Sequence, residues 1–169
     1  MTTAFLVLRM FLGEFRFREV PFDAIIDEVR SGRADAGLLI HEGQLTYEAE
    51  GLAKSVDLGE WWLLETGLPL PLGVNVAKRH VGPAPLRELS AVLRESIQAG
   101  LDNRAEAMRY ALQFGRGLDE DLGDRFVGMY VNELTCDYGE EGRQAVEELL
   151  RRAEALGVYD KPVRVEFVD

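Results

Sequence analysis

The chain has 169 residues, 47% of them hydrophobic and 29% charged, with a formal net charge of −11 at pH 7. That excess of carboxylates repels a phosphate backbone and argues against nucleic acid as a partner. A single cysteine, Cys136, excludes an internal disulfide, and with only two histidines a Cys/His zinc centre has too few ligands.

Residues 2–12 read as a helix that Thr2 or Thr3 can cap and Gly13 can end. It is apolar nearly all round, the pattern of a helix covered on several sides. It lacks a basic leader region and a small-residue cleavage site, so it does not read as a signal peptide. No apolar run reaches the about 20 residues a membrane helix needs. A cytoplasmic setting without membrane contact is expected.

Phe15, Arg16, Phe17 and Arg18 alternate as in a half-buried strand over 15–20. Pro21 then opens a helix with Phe22, Ile25, Ile26 and Val29 on one face, closed near Gly32. Residues 36–40 form a continuous apolar run, expected as a parallel strand covered on both faces. Residues 43–51 form a turn or short helix, followed by a strand near 52–56 and a short helix around Trp61 and Trp62. The stretch from Gly67 to Gly73 holds Pro69 and Pro71, which forbid a central strand and favour an extended crossover. Residues 74–77 continue it as a strand.

Beyond Lys78 the spacing changes to that of amphipathic helices. Leu86, Leu89, Leu93 and Ile97 mark the first, and Ala107, Met108, Ala111 and Leu112 the second. Leu122, Phe126, Met129 and Tyr130 mark a third; Val146, Leu149, Leu150 and Ala153 a fourth. A last strand is expected at 163–168. The alternation of strands and helices argues for an α/β fold, divided into an α/β lobe at 1–72 that carries His41 and a mostly helical part at 73–169.

His41 follows the apolar run directly. In open parallel sheets ligands bind beyond the carboxyl ends of strands, and an imidazole, with an ordinary pKa of about 6.5, suits proton transfer near neutrality. The competing reading is a loop histidine bonded to backbone. Glu42 either orients it or is simply solvated. Thr2 and Thr3 open a helix, where free N–H groups attract anions, although an ordinary cap explains them as well. The acids near Asp137 suit a helix start without any function, and Trp61 and Trp62 suit packing. His80 reads as a surface loop residue. Asp119, Glu120, Asp121 and Asp124 lack calcium-loop spacing, and there is no Walker loop or dinucleotide glycine pattern.

Several segments together resemble 1,4-dihydroxy-6-naphthoate synthase, the enzyme family of menaquinone biosynthesis by the futalosine route. These are AGLLIHEGQLTY at Ala36–Tyr47 and VDLGEWWLLETGLPLPLGVNV at Val56–Val76. To them are added Tyr130-Val131-Asn132, Asp137 with Gly139-Glu140-Glu141-Gly142, and Thr2-Thr3-Ala4-Phe5. The resemblance implies a type II periplasmic-binding-protein-like, two-lobed architecture with its ligand in the cleft. It implies a carbon–carbon lyase that converts cyclic dehypoxanthinyl futalosine to 1,4-dihydroxy-6-naphthoate and releases dihydroxyacetone, without metal or cofactor. His41 matches the proton acceptor, the general base; Thr2 and Thr3 match residues that contact the substrate.

Against the family pattern the chain is expected to lack an N-terminal segment that supplies much of the first lobe's sheet, so the architecture is expected to be incomplete. The all-round apolar helix at 2–12 agrees with that. The implied partner is a small-molecule substrate, and the reading leaves room for a homodimer. Three rivals are a non-catalytic small-molecule binding lobe, the chorismate dehydratase of the same pathway, and an interaction protein that docks through the helix at 2–12.

Overall fold

The computed structural model describes residues 2–114 and 119–168. Nine α-helices are found among them: α1 (Thr3–Leu12), α2 (Ile25–Arg30), α3 (Gly43–Thr46), α4 (Leu58–Thr66), α5 (Pro83–Asp102), α6 (Arg104–Ala111), α7 (Glu120–Tyr130), α8 (Glu133–Cys136) and α9 (Gly139–Ala155). Short 3₁₀ turns stand at Phe22–Ala24, Arg79–Val81 and Leu112–Phe114.

No β-strand occurs among the described residues. The expected α/β, periplasmic-binding-protein-like architecture is therefore overturned, because without a sheet there is no central layer for helices to cover. The segments at 15–20, 36–40, 52–56, 74–77 and 163–168 form no ladder with one another. Apolar alternation tells which side chains favour burial; it does not supply the neighbour whose N–H and C=O complete a strand. Ile40, expected to be covered on both faces, is 42% exposed.

Side chains do in these segments what a ladder would have done. Arg18 pairs with Glu28 of α2 and donates to the Arg33 carbonyl at 3.2 Å. Arg33 reaches the same carboxylate at 3.0 Å. The two guanidiniums, Arg33 first, hold the Glu28 carboxyl below its ordinary range. Residues 36–40 lie on α2 through Gly37, where any Cβ would collide with Ile25 and crowd Val29.

The chain divides into two compact units, Met1–Leu70 and Pro71–Asp169. In the first, α1 packs on α4. Thr2 caps α1 through its hydroxyl, which accepts from the Phe5 N–H at 3.2 Å, and Gly13 ends it at φ 73°. Asp57 caps α4 by accepting from Gly59 and Glu60, and Gly67 closes it in the left-handed conformation. Leu6, Val7 and Trp62 are buried between the two helices and their neighbours, Val7 and Trp62 completely. The indole N–H of Trp62 donates to the Pro69 carbonyl at 3.1 Å. Trp61 meets Phe11 edge-on at 5.5 Å, and Phe5 gathers Phe15 and Phe17 around it.

In the second unit α9 buries Gly142, Ala145, Leu149 and Ala153, one stripe at helical spacing. Met108 of α6 is buried, and Gly123 of α7 lies so close to Leu112 that a Cβ would fall 2.6 Å from its Cδ2. Arg104 ties α6 to α7, with Nε 2.7 Å from Asp124 Oδ1 and Nη2 2.9 Å from the Asp124 carbonyl. The longest helix, α5, touches α6 and α8 but buries none of its residues. On α9, Arg151 and Arg152 both bond Glu148 at 2.7 Å, and together they hold its carboxyl down at about 2.

Two stability experiments follow from this packing. Trp62→Ala is expected to cost about 3–5 kcal/mol, the range for deleting a large aromatic from a core, read from the first unit's unfolding midpoint in urea. Glu148 has a folded pKa below its unfolded value, so its contribution is present above about 4.5 and is lost as pH falls through about 2. Glu148→Gln should abolish that part of the acid sensitivity of α9 when helicity is followed by circular dichroism; an unchanged acid profile counts against the clamp.

Candidate active site

His41 lies between the exposed Ile40 and the single turn of α3. Its side chain is only 14% exposed. The local fold makes the seat. The Gly43 N–H turns back to donate to His41 Nδ1 at 3.0 Å, while Gln44 N–H bonds the His41 carbonyl at 2.9 Å. The Phe22 ring stands against the imidazole at 5.5 Å and 60°, close to an edge-to-face contact. Gly43 tolerates no side chain here: a Cβ would fall 2.6 Å from His41 Cε1 and 3.0 Å from Ile26 Cδ1.

A neutral imidazole carries one N–H and one lone pair. With Nδ1 accepting from Gly43, the hydrogen belongs on Nε2. Nε2 is buried, and no group among the described residues bonds to it. Glu42 does not orient the ring: its carboxylate comes no closer than 3.9 Å, and to Nδ1, which Gly43 already occupies. One ring nitrogen is bonded to backbone, as in a structural loop histidine; the other is buried with its hydrogen-bonding capacity unspent.

Thr2 and Thr3 start α1, Thr2 exposed and Thr3 half-buried. The Thr2 oxygen accepts from Phe5, which leaves its own O–H free to donate. No hydrogen bond or ring contact joins either threonine to His41 among the described residues. Trp62 is core, bonded to Pro69. Asp137, in the second unit, accepts from the Gly139 N–H at 2.9 Å and lies 3.2 Å from Arg94; these hold its carboxyl below the ordinary range, the backbone bond foremost. Its neighbour Tyr138 is raised by burial. His80 sits exposed in a 3₁₀ turn. No cluster of three or more His, Cys, Asp or Glu that could hold a metal occurs among the described residues. Sequence reasoning did not single out Gly43 or Phe22; their signals were a glycine two residues after the histidine and a phenylalanine on the apolar face that Pro21 opens.

Residues 1–155 match the family of menaquinone biosynthesis proteins, and the chain belongs to that family. Within it, the chain is similar to two 1,4-dihydroxy-6-naphthoate synthases. It is 39% identical to the one from Streptomyces coelicolor over 163 residues, which cover 93% of this chain and 58% of the relative. It is 40% identical to the one from Thermus thermophilus over 167 residues, 99% of this chain and 61% of the relative. The chain thus spans about three fifths of the length of these relatives. It is also similar to a protein of Archaeoglobus fulgidus of known crystal structure, at 42% identity and a TM-score of 0.87 over 94% of this chain and 60% of that one.

The capping role of Thr2 separates from any ligand role by substitution. Thr2→Ala should cost about 1 kcal/mol, the usual loss of an N-cap, while Thr2→Ser should restore it, as read from thermal unfolding. No loss in the alanine variant would leave the hydroxyl without a structural duty.

Proposed function

We propose that the chain acts as a carbon–carbon lyase of menaquinone biosynthesis, taking cyclic dehypoxanthinyl futalosine to 1,4-dihydroxy-6-naphthoate with release of dihydroxyacetone. The observation that carries this reading is the 39–40% identity, over nearly the whole chain, to two proteins that bear the name of that synthase. The buried, half-satisfied imidazole of His41 supports it from the chemical side.

The reaction is a fragmentation of the retro-aldol type. A hydroxyl loses its proton, its carbon becomes a carbonyl as the adjoining carbon–carbon bond breaks, and the electron pair is received by a neighbouring electron-poor group that is then protonated. His41 is the residue we assign to contact with these reacting atoms. The free O–H of Thr2, with Thr3 beside it, holds substrate oxygens at the start of α1. Holding the fragments in register supplies most of the rate. A cytoplasmic setting belongs to the same reading; among the described residues no helix is long and apolar enough to cross a membrane.

The test is direct. The purified chain is given cyclic dehypoxanthinyl futalosine and dihydroxyacetone is measured. Release by the unaltered chain is expected, with a fall of about 10²–10⁴-fold in His41→Ala, the range for losing a proton-transferring side chain. Binding without release, or release undiminished in His41→Ala, overturns the proposal.

A further inference from the structure

The apolar face that leads into α2 is not used evenly. Ile25, Ile26 and Val29 are half-buried, whereas Phe22, at the leading end, is 42% exposed. Phe22 belongs to the 3₁₀ turn Phe22–Ala24, which follows Pro21 and runs into α2. The turn sets the phenyl ring against His41, centroid to centroid 5.5 Å. Single exposed apolar side chains are ordinary on a protein surface. This one touches the imidazole that the proposed reaction uses, and that imidazole side chain is itself 14% exposed. A ring that served only as packing would turn its area inward, as Trp62 does in the same unit. Phe22 instead gives part of its area to the histidine and part to solvent.

We infer that Phe22 is a specificity-determining residue whose exposed ring holds the aromatic part of the ligand beside His41. The inference rests on the proposed function for the chemistry of that ligand: the product, a dihydroxynaphthoate, is a flat two-ring aromatic. Small-molecule sites are lined largely by apolar and aromatic side chains with a few polar groups among them. Aromatic rings pair offset or edge to face at centroid separations of about 4.5–7 Å. A two-ring system laid on the solvent-facing part of Phe22 therefore has one edge beside the imidazole. That contact asks nothing of the buried Nε2. His41 keeps its role as proton acceptor, and Phe22, which has no group that titrates, only places the ring. The pairing also gives a preference that apolar area alone does not supply, because the charge distribution of an aromatic face and edge has no counterpart in a saturated ring of the same size.

Binding of a non-reacting probe tests this without turnover. The full chain is titrated with 2-naphthoate and, separately, with its saturated counterpart decahydro-2-naphthoate, and both are followed by nuclear magnetic resonance. Bound 2-naphthoate should show nuclear Overhauser contacts to the Phe22 ring, and it should bind about 2- to 12-fold more tightly than the saturated probe, the range for one aromatic pair. Phe22→Leu keeps an apolar side chain but no ring, so the two probes should then bind alike, while Phe22→Tyr should retain the preference. The ratio of the two affinities is a readout that a general loosening of the fold does not move. No binding of 2-naphthoate, binding without contacts to Phe22, or an undiminished preference in a folded Phe22→Leu chain overturns the inference. Should the leucine variant fail to fold, the contacts in the unaltered chain decide. A chain that releases no dihydroxyacetone but shows these contacts fails as a lyase only; a chain that releases it without them fails only in the role given to Phe22.

Discussion

The first unit depends on the burial of one indole. Trp62 is removed from solvent completely, and an indole so placed must both fill its volume and satisfy its N–H. α1 supplies the volume through Leu6 and Val7. The crossover supplies the acceptor, because Pro69 cannot donate a backbone hydrogen bond but presents its carbonyl at 3.1 Å. Thr66 fastens the same corner, donating to the Trp62 carbonyl at 2.8 Å and accepting from Leu68 at 3.1 Å. The proline-rich stretch that forbids a strand thus becomes the strap over α4, and Gly67, in the left-handed conformation, makes the turn that returns it.

The second unit is assembled differently. The buried stripe of α9 is built mostly from small residues, Gly142, Ala145 and Ala153 with Leu149. Tyr138, just before the helix, closes over its first turn: a Cβ at Gly142 would fall 2.9 Å from Tyr138 Cβ. Ion pairs of this unit join residues of one helix, as Glu148 with Arg151 and Arg152, and also separate segments, as Arg104 with Asp124 and Arg79 with Glu166; at the surface such pairs add little each.

The helices were legible because their signals are local. Thr2 and Gly13 act at the two ends of α1 as read, through a capping hydroxyl and a positive φ. Of the face read for α9, Leu149 and Ala153 are buried while Val146 and Leu150 are half-buried, and the buried stripe runs on instead through Ala145 and Gly142. The strands were not legible because a strand is a property of two segments. Phe15 to Arg18 alternates as a strand should, yet Arg18 spends its charge on Glu28 and the segment pairs with nothing. The apolar spacing of α5 was read correctly as a helix, but its promised burial is absent: Leu89 and Leu93 are exposed, Leu86 and Ile97 only half-buried. The argument that placed His41 at the end of a buried strand falls with the sheet, because residues 36–40 form no strand and Ile40 is exposed. The glycine that seats the ring was not readable either, since a histidine-x-glycine spacing is common and only the fold brings that amide onto Nδ1.

That amide also imposes a rule on anything designed to occupy the same place. A molecule that turns a carbonyl, an oxide or a carboxylate toward Nε2 completes the ring's bonding, whereas one that turns an amine or an amide N–H there sets hydrogen against hydrogen.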